Sequence, residues 1–319
     1  MKESEVIQLA KNCGFPSIKA EALKLEASGR EYYRLHIPSD ATKVLCYLSP
    51  EKGNHNKFLH ISNFFFNEKI KSPEIFYSNS DEGVTIQEDL GEKCLIDLDM
   101  LSVSNKEMLK DSIALLAKIQ TANIPQIPKL ELDDLNDQMN KLTDVFLKDF
   151  LGITFDNDFN ELQNEVIEKL SEQPWMNCHF DFERRNLIAF DNEIAVIDFQ
   201  DLSSGPIGID LAGLIIDHYI KYPDDTIANC LDHYSDLMEF QLDSSDIFEW
   251  IRWGAIQRNM RILGTLSSLY LDNERTFRLK DLPMILSNLI DLVPEKYEYL
   301  KSFLSKEVQP QLLKKLSQI

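Results

Sequence analysis

Apolar residues in the first ninety positions of the chain follow two different rhythms. Residues 31–37 (EYYRLHI) and 43–48 (KVLCYL) are dense in aromatic and aliphatic side chains, with Pro38-Ser39-Asp40 between them, which predicts two strands joined as a hairpin. From Asn56 to Lys71 the positions Phe58, Leu59, Ser62, Phe65 and Phe66 form a helical stripe, and Pro73 stops it. Residues 74–90 (EIFYSNSDEGVTIQEDL) predict two more strands around the turn Ser80-Asp81-Glu82-Gly83. Strand, strand, helix, strand, strand is a small α+β module.

After Gly91 the period changes to that of helices. Residues 105–122 carry Leu109, Ile113, Leu116 and Ile119 on one face, with Asn105 as a cap. Helical patterning continues through 132–170, 207–242, 244–271 and from 280 to the end. One β-like island interrupts it at 186–200 (NLIAFDNEIAVIDFQ), where Asp191-Asn192 turns between two short apolar runs. No internal repeat is present. The expected organisation is an N-terminal lobe over residues 1–91 and a helical lobe over 92–319.

With 44% hydrophobic and 27% charged residues, the 319-residue chain can bury a large core. No apolar run approaches the roughly 20 residues that cross a bilayer. The N-terminal stretch lacks the basic and apolar regions of an export signal, so a cytoplasmic location is expected. Thirty-three Lys and Arg against 53 Asp and Glu leave a net charge of −20, which weighs against nucleic acid and anionic membrane as partners. Cys13, Cys46, Cys94, Cys178 and Cys230 are widely spaced and odd in number, and read as reduced thiols rather than a disulfide or zinc framework. No feature of the pattern bears on oligomeric state.

The segment with the most chemistry is residues 178–201, CHFDFERRNLIAFDNEIAVIDFQD. It holds His179-x-Asp181, Asn186 five residues further on, and a hairpin that ends in Ile197-Asp198-Phe199. Phosphoryl transfer needs an acid that takes the proton of the attacking hydroxyl, and oxygen ligands that hold magnesium on the phosphates. A loop bearing Asp181 and Asn186, with a hairpin returning Asp198, offers three such oxygens. The competing reading is a loop of capping Asp and Asn residues around a core histidine.

That segment resembles the catalytic loop of the aminoglycoside phosphotransferase-like branch of the protein-kinase fold. Other stretches resemble the same family. Gly205-Pro206 with Asp210-Leu211-Ala212 is similar to the element that follows its hairpin, and Thr85 to Gly91 is similar to its last small-lobe strand and hinge. Ala27 to Leu35, Gln257 to Gly264 and Asp281-Leu282-Pro283 are similar to motifs of the bacterial subgroup that phosphorylates the anomeric hydroxyl of N-acetylmuramate and N-acetylglucosamine in cell-wall recycling.

The resemblance implies an α+β, two-lobed kinase with a small antiparallel β lobe containing one helix, using ATP and magnesium on a small-molecule substrate. It makes Asp181 the catalytic base, Asn186 and Asp198 the metal ligands, and His179 and Asp210 structural supports of the loop. Ser28, Gly29 and Arg30 would cover the ATP phosphates, and Glu88 and Leu90 would meet adenine through their backbone. Arg258 and Arg261 could reach a substrate carboxylate, or pair with nearby acids. Trp250 and Trp253 could be core or a sugar platform. The family's lysine on the third strand is missing, since KVLCYL offers Cys46 and Tyr47 there; Arg30, Arg34 and Lys57 are the candidate replacements. Alternatives are a kinase of an aminoglycoside or choline-like amine, and a nucleotide-binding scaffold without catalysis.

Overall fold

The computed structural model describes residues 1–23, 30–51, 55–102, 105–155, 159–239 and 243–319. In chain order its first elements are α1 (Glu3–Asn12), β1 (Lys19–Ala22), β2 (Glu31–His36), β3 (Lys43–Tyr47), α2 (His55–Asn67), β4 (Ile75–Asn79) and β5 (Val84–Glu88). Next come α3 (Lys106–Thr121), α4 (Leu132–Lys141), α5 (Asn160–Ser171), β6 (Trp175–Cys178), β7 (Leu187–Phe190), β8 (Glu193–Val196) and β9 (Ser203–Pro206). The last are α6 (Gly208–Ile215), α7 (Asp224–Met238), α8 (Ser244–Asn273), α9 (Leu282–Leu292), α10 (Glu298–Phe303) and α11 (Gln309–Leu316). Backbone contacts divide the chain into one unit of Met1–Asp99 with Arg184–Asp201, and a second of Met100–Glu183 with Leu202–Ile319.

The first unit is built on a five-stranded antiparallel sheet in the order β1-β2-β3-β5-β4. Strand alternation sends Tyr33, Leu35, Leu45, Val84 and Ile86 into a core with Val6 and Ala10 of α1. Helix α1 is a second helix of this unit beyond the one the pattern predicts. Its stripe is short, and Val6, Ala10 and Cys13 carry little apolar bulk. In α2 the buried face is Ile61, Ser62 and Phe65, whereas Phe66 is 68% exposed, which corrects the expected stripe by one position. Phe199 stacks on Phe58 and packs against Phe65 with ring centroids 5.1 and 4.9 Å apart, so α2 anchors the residue next to Asp198. The β7–β8 hairpin turns at Asp191 and Asn192, whose φ values of 47° and 62° are those of a two-residue primed turn.

The second unit is helical apart from a two-stranded ladder, β6 with β9, that carries the chain into and out of the Asp181 loop region. Four-residue strands, Trp-Met-Asn-Cys and Ser-Ser-Gly-Pro, have no readable period, and the pattern did not yield them. The helical run expected over 132–170 is divided: α4 continues as a π-helical stretch, Leu142–Leu151, which Gly152 ends with φ 70°. Helix α8 begins at a side-chain cap, with Asp243 accepting from the N–H groups of Ser245 and Asp246 at 2.9 and 3.1 Å.

Helices α6 and α8 meet backbone to backbone at two glycines. A Cβ on Gly254 would lie 2.4 Å from the Gly208 carbonyl, and one on Gly208 would lie 2.2 Å from Trp250 O. Gln173 stitches the crossing, accepting from Gly208 N–H at 2.9 Å and donating to Trp250 O at 3.1 Å. Gly254→Ala should therefore destabilise the protein by about 2–3 kcal/mol through overpacking, although alanine is the better helix former by ~1 kcal/mol. Urea unfolding at neutral pH measures this; an unchanged midpoint would mean that the crossing has room to spare.

Candidate active site

The candidate base lies on the loop that leaves β6. Asp210 of α6 accepts the N–H of His179 at 2.6 Å and the N–H of Phe180 at 2.8 Å, one on each carboxylate oxygen. The pair holds Phe180 at φ 72°, a left-handed conformation that costs a bulky L-residue about 1–3 kcal/mol unless its surroundings impose it. Asp210 is fully buried, and burial pushes its carboxyl up, against the opposing pull of His179 and the two N–H groups. His179 is also buried, with its ring edge-on to Phe182.

Asp181 is presented next, with 48% of its side chain open to solvent. Arg261 of α8 donates from Nη2 to Asp181 Oδ1 at 2.9 Å and to Phe180 O at 3.1 Å. Desolvation raises the Asp181 carboxyl, but Arg261, aided by Arg258 and His179, outweighs it, and the group lies below the ordinary aspartate value.

Of the two alternatives for the α8 arginines, a substrate carboxylate or nearby acids, Arg258 takes the second. Its side chain is 1% exposed; Nη2 donates to Glu183 Oε2 at 2.8 Å, and Nη1 bonds to the His218 ring. Spaced three residues apart, the two arginines take different depths, Arg258 in the core and Arg261 at the loop. Glu183 also faces Arg278, which pairs with Asp281 at 3.1 Å and donates to Tyr219 Oη at 2.9 Å. Burial raises Glu183, but Arg278 and Arg258 pull it well below the ordinary glutamate value. Burial and Arg258 hold His218 well below the ordinary histidine value, so its ring is neutral and bonds to Asn259 at 2.8 Å. Glu183, His218 and Arg278 carry no periodic or spacing signal in the sequence. Only the loop's fold reveals them.

The two residues expected to hold metal, Asn186 and Asp198, lie in the first unit. Ile197 N–H donates to Asn186 O at 3.0 Å, extending the β7–β8 pairing by one residue and bringing Asn186 and Asp198 to neighbouring positions at the hairpin's open end. Asp198 has φ 62°, and its Oδ1 accepts from Gln200 Nε2 at 2.8 Å. The preceding turn, Arg184–Asn186, is tied down by buried Arg184, whose Nη1 donates to Leu95 O at 3.0 Å, and by Cys94 Sγ, which donates to Arg184 O and Arg185 O. No group of three or more His, Cys, Asp or Glu among the described residues is arranged to hold a metal ion. An amide and a carboxylate, with phosphate and water completing the shell, suit magnesium.

Residues expected at the nucleotide are also in the first unit, except that Ser28 and Gly29 lie outside the described residues. Arg30 lies within electrostatic reach of Tyr32 and Cys46, as does Asp198. Cys46 fills the third-strand position as an inert group: burial pushes its thiol up to about 11. Lys43 sits over the Phe76 ring. Arg34 is committed as well, forking onto Asp89 at 2.6 and 3.1 Å and pairing with Glu92, which removes it from the candidate replacements for the lysine. Lys57 is half-buried near Asp201; burial lowers its pKa and the Asp201 charge opposes that. Leu90 is buried, and the Glu88 carboxylate receives Lys71 at 3.0 Å.

An antiparallel sheet, a helical majority and this loop-and-hairpin motif are those of a kinase-like α+β phosphotransferase. Residues 19–243, more than half of the chain, match the phosphotransferase enzyme family, and the chain belongs to it. An N-acetylmuramate/N-acetylglucosamine kinase of Neisseria meningitidis serogroup B is 23% identical over 278 residues, spanning 83% of this chain and 82% of that protein. The protein of the same name from Pseudomonas aeruginosa is 22% identical over 292 residues, 86% and 83% of the two chains. The crystal structure of the choline kinase LicA from Streptococcus pneumoniae superposes with a TM-score of 0.67 at 13% identity, covering 90% of this chain and 99% of that one. That likeness establishes the fold.

Glu183→Gln leaves buried Arg258 without its anion, while Arg278 keeps Asp281, and should cost about 3–5 kcal/mol at pH 7 in urea unfolding. The folded carboxyl lies below its unfolded value of 4.5, so its contribution is complete above that pH and is lost as pH falls through the folded value. The gap between wild type and variant should therefore narrow in acid. A gap constant with pH would show that the charge on Glu183 is not what stabilises.

Proposed function

We propose that this phosphotransferase is an ATP- and magnesium-dependent kinase of the anomeric hydroxyl of N-acetylmuramate or N-acetylglucosamine, acting in the cytoplasm in cell-wall recycling. The observation that carries the reading is the His179-x-Asp181-x4-Asn186 loop followed by a hairpin that returns Asp198 beside Asn186, in a chain similar over four-fifths of its length to kinases of those two sugars.

In this reading Asp181 accepts the proton of the acceptor hydroxyl as that oxygen bonds to the γ-phosphorus. The bond from the γ-phosphorus to the bridging oxygen breaks, and ADP leaves with that oxygen. Asn186 and Asp198 hold magnesium, which when bound neutralises charge on the phosphates. Arg30 and Lys57 supply positive charge on the nucleotide side, where the third strand has only Cys46. Ser28 and Gly29 cover the phosphates through backbone N–H groups, and Glu88 and Leu90 meet adenine through theirs.

The test is incubation with magnesium-ATP and a panel of the two amino sugars, choline and an aminoglycoside, with the product followed by phosphorus NMR. An acid-labile anomeric phosphate is expected. Turnover of an amine and of neither sugar would replace the reading. Asp181→Asn should lower kcat by about 10²–10⁴-fold with little change in ATP affinity. Asp198→Ala should abolish magnesium-dependent turnover while leaving the circular dichroism spectrum as in wild type; full activity would remove it from the metal.

A further inference from the structure

Arg261 is more than a neutralising partner on the loop. One nitrogen of its guanidinium, Nη2, bonds both to the Phe180 carbonyl at 3.1 Å and to the Asp181 carboxylate at 2.9 Å. Asp210 already holds the N–H of the same Phe180. The left-handed residue that aims Asp181 is thus gripped from both sides, at its N–H by α6 and at its carbonyl by α8. Arg258, one turn away on α8, is spent in the buried Glu183 pair, so it cannot take the same place. Arg261 differs in that 17% of its side chain reaches the surface, against 1% for Arg258. A purely structural arginine in this fold, such as Arg278, is anchored on Glu183, Asp281 and Tyr219 at once. Among the described residues, the side-chain hydrogen bonds of Arg261 go to the loop that presents Asp181.

A cation held against a carboxylate stabilises its charged form and makes it a weaker proton acceptor. Such a base serves best where the acceptor hydroxyl is itself acidic. Hemiacetal hydroxyls are more acidic than ordinary primary or secondary alcohols, because the ring oxygen withdraws charge. Resting on the kinase reading above, we propose that Arg261 is the positioning residue of the transfer step: it clamps Phe180 and Asp181 together and, by its charge, restricts the enzyme to hemiacetal acceptors.

The experiment compares wild type with Arg261→Met, Arg261→Lys and Arg261→Ala. Each is assayed with magnesium-ATP, using N-acetylglucosamine and its methyl glycoside, which keeps the ordinary hydroxyls and lacks the hemiacetal. Wild type should consume the free sugar and not the glycoside. Arg261→Met should lower kcat by about 10²-fold with KM for sugar and ATP within about threefold, the pattern of a group lost from the transition state alone. Arg261→Lys should recover only part of kcat, since one ammonium cannot reproduce the planar fork. Guanidinium ion added to Arg261→Ala should restore kcat in a saturable way. Rescue distinguishes positioning from folding, because a merely structural loss would not respond to it. An unchanged kcat in Arg261→Met, or no rescue together with parallel losses in kcat and KM, overturns the clamp. Wild-type turnover of the glycoside overturns the acceptor restriction while leaving the kinase reading intact. Turnover of neither compound, with N-acetylmuramate inert as well, overturns the amino-sugar reading and the hemiacetal restriction together.

Discussion

One buried carboxylate fixes the loop on which everything else in the candidate site depends. Asp210 takes two consecutive backbone N–H groups, His179 and Phe180, and these bonds impose on Phe180 a backbone angle that the residue alone would avoid. Without that constraint the chain after β6 would relax to an extended path, and Asp181 would point elsewhere. Charged hydrogen bonds in a dry interior are strong enough to hold such a strain. The position of Asp210 depends in turn on α6 lying against α8 at Gly208 and Gly254, where no side chain intervenes. A loop conformation is thus set by a helix crossing.

The protein carries a net charge of −20, yet two of its arginines, Arg184 and Arg258, are among its largest fully buried side chains. Each is placed where backbone carbonyls or a carboxylate would otherwise be left without donors. Arg184 serves Leu95 O and Leu98 O, and Arg258 serves Glu183. The planar guanidinium is suited to this, since it tolerates partial dehydration and spreads its donors over several acceptors. On the open side of the same helix, Arg261 uses the same chemistry on Asp181. The acid excess belongs mainly to solvated surface, while the cations that matter are internal.

The residues of the motif divide between the two units. Asp181 and its supports Asp210 and Arg261 belong to one, while Asn186, Asp198 and the sheet with Cys46 belong to the other. Between them the covalent chain passes from Glu183 to Arg184, one held by Arg258 and the other by the segment after β5. Each half of the motif is therefore braced by contacts within its own unit. Phe199, wedged against Phe58 and Phe65, does for Asp198 what Asp210 does for Asp181.

The α+β class, the hairpin with its Asp191-Asn192 turn, and the strands 31–36 and 43–47 were legible in the chain, because period and turn chemistry are local. The four-residue strands β6 and β9 were not, because each is too short to show a period and its partners, the other strand and the segments at 119–122 and 128–130, are distant in sequence. Arg258 and Arg261 look equivalent at three residues apart on one helix; what separates them is which neighbours the helix meets, Glu183 and His218 at one depth and Asp181 at another. Likewise Arg34 reads as a free cation until β2 and the hinge are side by side and Asp89 receives it. Sequence by itself determined which residues could carry phosphoryl chemistry and the local elements that bear them. Only the tertiary structure decided which charges are paired, since pairing depends on contacts between segments 55 to 80 residues apart, and no local pattern encodes them.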